Sequence, residues 1–160
     1  MKSKLNIYLL VIVGIFILVG CKPEKKEVYL TQLTPISQNT DFEPIVFGNI
    51  TDVYGKFYPN GIFTHANSRL VYSIPDKYSK LKVYIGLMGV QSCGDGATFK
   101  ILTENTELYR SKIMKNGELP ILVELDITGA TILTLVTESG PDGNIDCDHS
   151  FWGDPLLIKD

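Results

Sequence analysis

Apolar and polar side chains alternate over short stretches through most of this chain. Outside its first twenty residues, no run of ten or more shows the spacing of a capped amphipathic helix. In 81–90 (LKVYIGLMGV) strict alternation puts Leu81, Val83, Ile85, Leu87 and Gly89 on one face. Segment 69–74 (RLVYSI) alternates well enough for a half-buried strand and is closed by Pro75 and Asp76. Segments 98–103 (TFKILT) and 107–112 (ELYRSK) flank the polar turn Glu104-Asn105-Thr106 as the arms of a hairpin would. The clearest strands are 120–127 (PILVELDI) and 130–137 (ATILTLVT), separated by Thr128 and Gly129, and 155–158 (PLLI) predicts a short final strand. Short strands at regular spacing, with turn signals between them, predict an all-β fold: an antiparallel β-sandwich or jelly roll.

Upstream, 47–68 (FGNITDVYGKFYPNGIFTHANS) carries less pattern. Pro59-Asn60-Gly61 predicts a turn across 57–61, and 64–68 predicts a polar loop holding His65. A lone histidine in such a loop is ordinarily a structural hydrogen bonder. At 160 residues and 44% hydrophobic, the chain is long enough for one domain with a core plus a short appendage. Its formal charge of −3 lacks the basic face that a phosphate backbone needs, which argues against nucleic acid as a partner.

The first residues have the form of an address. Lys2 and Lys4 precede an uninterrupted apolar run over 7–19, too short for an ordinary membrane span, and the small Gly20 follows. A retained signal anchor is the alternative to a cleaved leader. Residues 18–21 (LVGC) resemble the lipobox of bacterial lipoprotein signal peptides. That resemblance implies cleavage before Cys21 and lipidation of its sulfur, and two or more acyl chains give stable rather than transient attachment. The charged run 22–27 (KPEKKE) has nothing to bury and suits a tether. The expected organisation is a signal peptide over 1–20, a tether over 21–30 after the lipidated Cys21, and a domain over 31–160, exported and anchored to a bacterial membrane.

Cys93 and Cys147 then remain as a pair in a compartment that permits disulfides. Both lie in polar, glycine-containing stretches (SCGDGA and NIDCDH), where buried free thiols are uncommon. A bridge is expected, with two separate thiols as the alternative. A zinc thiolate site is disfavoured because neither CxxC nor HxxxH spacing occurs.

Most of the chemically versatile side chains gather in 140–155 (GPDGNIDCDHSFWGDP): Asp142, Asp146, Asp148, Asp154, His149, Cys147 and the single tryptophan, Trp152. Glycines and a proline favour tight turns there. An aromatic plate beside carboxylates and an imidazole suits a sugar, which offers a C–H face for stacking and a rim of hydroxyls. The oxygens of Asp142, Asn144 and Asp146 could instead hold a structural calcium. An EF-hand is excluded, since Cys147 stands where its glycine is required and Gly153 where its glutamate is. A glycosidase needs two carboxylates facing each other across a bond, and the adjacency of Asp146 and Asp148 gives no sign of that. GxSxG and GxxxxGK[ST] motifs are absent, so binding is expected and catalysis is not.

Two spaced motifs point to a family. Residues 58–72 (YPNGIFTHANSRLVY) look like the "YxKGIGTHAxSxIxYxL" signature of NPCBM/NEW2 modules, related to carbohydrate-binding module family 51. Residues 146–154 (DCDHSFWGD) are similar to that family's "DHxxWxDA" ending, and 81–90 and 96–102 sit where it carries two strands. The resemblance covers about 45–158. It implies a β-sandwich that binds sugars without cleaving them, often of galactose type. By the same resemblance His65, Asn67, Asp148, His149 and Trp152 are candidate ligand-binding residues, with Trp152 either stacking on sugar or filling the core. Asp154 also matches, and a carboxylate there would more readily accept backbone N–H bonds. Phe63 replaces a family glycine, and 87–90 (LMGV) replaces its acidic residues. The alternative function is a structural or protein-interaction domain of the envelope, stabilised by calcium or the disulfide.

Overall fold

The computed structural model describes residues 26–75, 77–89 and 94–159. The apolar leader, the lipidation candidate Cys21 and the disulfide candidate Cys93 lie outside the described residues. The chain runs through β1 (Glu27–Tyr29), a 3-10 turn (Leu30–Gln32), β2 (Ser37–Thr40), β3 (Val46–Thr51), β4 (Phe57–His65), β5 (Ser68–Ser73), β6 (Lys80–Leu87), β7 (Ala97–Thr103), β8 (Thr106–Arg110), β9 (Ile121–Asp126), β10 (Ile132–Ser139) and β11 (His149–Ile158). One sheet has the order β3-β4-β11-β6-β9, with β1 paired to the far half of β11; the other has the order β2-β5-β10-β7-β8. Every ladder is antiparallel, and the two sheets pack face to face as a β-sandwich.

Alternation along each strand fills the space between the sheets. Leu81, Val83, Ile85 and Leu87 point inward from β6, as their spacing predicts, and meet Phe99 and Ile101 of β7 and Leu133 and Leu135 of β10. Each such side chain contributes about 1.5–3 kcal/mol by leaving water. Glu104 and Asn105 turn the β7–β8 hairpin with φ of 45° and 68°, the handedness that a tight hairpin demands.

Several expectations change. The turn predicted over 57–61 is the first half of β4. Pro59 is tolerated because the β3–β4 ladder shifts register between Gly48 and Ile50, and because β11 pairs β4 only over residues 62–65. The N–H of Asn60, free on that side, donates to the Asp154 carboxylate at 2.8 Å. The turn-rich reading of 140–155 holds only up to residue 148, because β11 begins at His149 and runs through Gly153 and Pro155 with a bulge between Gly153 and Leu156. Glu27–Tyr29, assigned to the tether, is an edge strand with buried Val28. The edge strands β2 and β3 were not anticipated, having little alternation to read.

The outer face of the first sheet carries a second apolar layer of Ile50, Tyr58 and Phe151. It lies flat because glycines stand beneath it: a Cβ on Gly153 would come within 2.6 Å of the Tyr58 ring, and one on Gly86 within 2.7 Å of the Phe151 ring. Lys56 covers the layer, its ammonium 3.3 Å from the centroid of Tyr84.

Candidate functional site

The β4–β11 ladder sets His65 directly opposite His149 and Thr64 opposite Ser150. Alternation therefore sends Thr64 and Ser150 inward, where their hydroxyls meet at 2.8 Å, and sends both histidines to the outer face at the end of the sandwich. The imidazoles meet edge to face, 4.8 Å between centroids. Phe63 lies 5.9 Å from His149 on the same face, and Phe42, from the connection between β2 and β3, places its ring 5.2 Å from His65. His149 Nδ1 stands 3.6 Å from Glu43 Oε2.

Phe42 and the two histidines, with Ile145, Asp146 and Cys147, line a cavity of about 210 Å³. His65 is 3% exposed, whereas Phe42 is 65% exposed and the His149 side chain 40%. The Ala66 carbonyl can only accept, so the 2.8 Å contact with it assigns the proton of neutral His65 to Nδ1 and leaves Nε2 as an acceptor. The cavity thus combines an exposed apolar ring, two imidazoles and the Asp146 carboxylate. That set suits a small polyol with an apolar face.

Hydrogen bonds fix the rim. The chain crosses between sheets through the cis Ala66–Asn67 peptide, and the Asn67 amide donates to Asp41 Oδ2 at 3.1 Å while its oxygen accepts the Ser139 N–H at 2.8 Å. Asp41 N–H in turn donates to the Asn67 carbonyl, which holds the neighbouring Phe42 over His65. Asn67, expected to bind ligand, thus acts here as a brace. From the far side, Ala66 N–H donates to the Asp148 carbonyl and the Asn116 amide to the Cys147 carbonyl.

Two expected ligand residues point elsewhere. Trp152 is 0% exposed and packs edge to face on Phe99 at 5.1 Å between centroids. It occupies an inward position of β11, so it is a core residue and not a stacking plate. Asp148 is also fully buried, and among the described residues neither carboxylate oxygen has a hydrogen-bond partner. Burial, reinforced by Asp95, Asp142 and Asp146 and opposed by His65, raises its pKa to about 6. Asp142, Asn144 and Asp146 use their side chains on one another: Asp142 Oδ1 accepts the Asn144 N–H, Asn144 Oδ1 accepts the Asp146 N–H, and the Asn144 amide donates to Asp146 Oδ2. Among the described residues no group of three or more His, Cys, Asp or Glu side chains converges as metal ligands. Phe42 and Glu43 went unnoticed in the sequence, where the unpatterned stretch 41–45 gives no sign of what it packs against.

The model of the NPCBM/NEW2 domain matches residues 26–158. The chain belongs to that family. Among solved structures this NPCBM/NEW2 domain is similar to a CBM51 module of Clostridium perfringens GH95 in complex with methyl-galactose: 27% identity, TM-score 0.72, covering 82% of this chain and 99% of the other. It shares its fold with the M60 catalytic domain structure that includes CBM51-1 and CBM51-2 of Clostridium perfringens ZmpB (23% identity, TM-score 0.72), covering 83% of this chain and 15% of that one. A curated relative, the "Putative endo-alpha-N-acetylgalactosaminidase" of Renibacterium salmoninarum, is 28% identical over 95 residues, which is 59% of this chain but 6% of that protein. The NPCBM/NEW2 domain thus corresponds to a small part of that relative's length.

Proposed function

We propose that this NPCBM/NEW2 domain binds a galactose-type glycan without cleaving it, and holds one sugar ring in the cavity formed by Phe42, His65 and His149. The observation that carries this is the meeting of exposed Phe42 with two imidazoles and the carboxylate of Asp146 in one small cavity. Similarity to a module solved with methyl-galactose, over nearly all of that module, supports the choice of sugar. Phe42 covers the C–H face of the ring, His65 Nε2 accepts from one hydroxyl, and His149 and Asp146 bond others. Isothermal titration calorimetry with methyl β-galactoside tests this: binding is expected, weakened at least tenfold by His149→Ala, and a flat thermogram together with silence across a glycan array would reject it. Silence joined to capture of an envelope protein by crosslinking would favour the interaction-domain alternative.

The same proposal includes export as a lipoprotein anchored through Cys21, supported by the leader and the lipobox-like 18–21. It also includes a Cys93–Cys147 bridge. Gly94 packs so closely on the Asp146 carbonyl that a Cβ there would lie 2.4 Å from it, so the residue after Cys93 abuts the residue before Cys147, which supports the pairing. Such a bridge is worth about 2–4 kcal/mol. A calcium ion at the 142–148 loop is favoured by the unsatisfied oxygens of Asp148 and opposed by the hydrogen bonds that occupy Asp142, Asn144 and Asp146. A rise of several degrees in melting temperature on adding calcium chloride would support it, and no change would dismiss it.

A further inference from the structure

The cavity at the two histidines has a larger neighbour. On the other side of the Ala66–Asn67 crossover an open cleft of about 510 Å³ lies along the end of the second sheet, between Asn39, Asp41, Asn67, Arg69 and Glu138. Residues close in sequence line the two hollows: Asp41 the cleft and its neighbour Phe42 the cavity, Asn67 the cleft and His65, two residues before it, the cavity. The two hollows therefore share one ridge, formed by Asp41 and Asn67 at the end of the sandwich. The ridge between them is braced by the paired hydrogen bonds of Asp41 and Asn67, so both openings are fixed relative to each other.

The cleft also carries uncommitted donors. Asn39 and Arg69 stand opposite each other in the β2–β5 register, and among the described residues neither side chain makes a hydrogen bond or ion pair. Glu138, in contrast, is held by Lys100 and lies 3.8 Å from Arg110. A guanidinium without an acidic partner beside a free amide presents a fork of N–H donors suited to vicinal hydroxyls.

We propose that this cleft is a second subsite that receives the sugar residue next to the one held at the histidines, so that the preferred ligand is an oligosaccharide rather than a single ring. Arg69 and Asn39 hold the hydroxyls of the second residue, and Asp41 and Asn67 form the wall that it passes. The inference rests on the single-ring site described above, and its test separates the two.

Calorimetry compares methyl β-galactoside with galactose-terminated disaccharides: lactose, β1,3- and β1,4-linked galactosyl-N-acetylglucosamine and α1,3-linked galactosyl-galactose. At least one disaccharide is expected to bind five times more tightly than the methyl glycoside. Arg69→Ala, and independently Asn39→Ala, should erase that gain while leaving the methyl glycoside affinity and the melting temperature in place. If every disaccharide falls within twofold of the methyl glycoside, or both variants keep the gain, the subsite is wrong and the histidine cavity stands. If the methyl glycoside itself fails to bind, the histidine cavity and its extension fall together.

Discussion

His65 and His149 stand directly opposite each other across the β4–β11 ladder, and their rings meet edge to face at 4.8 Å with 78° between planes. Two segments more than eighty residues apart thus form one wall of the cavity, and each contributes through strand register rather than through a loop of its own. Their burial differs: His65 is nearly enclosed, and His149 is open to solvent. Replacement of His149 by Ala should lower galactoside affinity at least tenfold (about 1.4 kcal/mol) with the melting temperature within a degree or two of the parent. Calorimetry beside a thermal melt checks both halves.

Phe42 is the exposed ring over His65. Phe42→Ala should weaken binding severalfold with little change in stability, because a 65% exposed ring has little burial to lose. Phe42→Tyr should retain affinity, since the stacking face persists. Affinity unchanged in Phe42→Ala would remove Phe42 from the site.

Trp152 answers to the core. Trp152→Ala should destabilise the domain by about 3–5 kcal/mol, as other large-to-small core changes do. A chemical denaturation series reads this directly. A folded, stable Trp152→Ala protein that had lost only sugar binding would mean that the tryptophan faces the ligand.

Asp148 should make stability depend on pH. Its folded pKa of about 6 lies above the unfolded value of ~3.9. The folded protein therefore holds the proton more firmly, and stability from this group is greatest below pH ~4 and falls as pH rises through 6. The effect is at most about 3 kcal/mol. Asp148→Asn should flatten that part of the profile, measured by urea unfolding between pH 4 and 8; identical slopes in the two proteins would show that the carboxylate is satisfied.

Gly153 lies under the Tyr58 ring. Gly153→Ala should cost about 1–3 kcal/mol through overpacking. A neutral substitution in a thermal melt would show that the ring moves aside freely.

The interior strands were legible because burial on one face imposes alternation: β6, β9 and β10 show it plainly in Leu81 to Leu87, in ILVELD and in ILTLVTES. Edge strands were not. In β2 (SQNT) solvent takes most side chains, so composition looks like a loop. Pro59-Asn60-Gly61 read as a turn because the acceptor that satisfies Asn60 N–H, Asp154, lies far along the chain. His149, Trp152 and Asp148 stood out by composition in 140–155, and the motif resemblance joined His65 to them as candidate ligand residues. Motif spacing says which residues travel together, but strand parity decides which face each one takes, and parity required knowing that β11 begins at His149. Phe42 depends on a long-range contact that no local pattern records.

The most direct test of the central claim is a titration of the folded domain with methyl β-galactoside, followed by NMR of the two imidazoles and of the Phe42 ring. Saturable shifts of the His65, His149 and Phe42 signals, with the Trp152 indole signal little changed, are expected. Absence of any shift in those three residues at saturating sugar, or shifts confined to another face of the sandwich, would contradict the account.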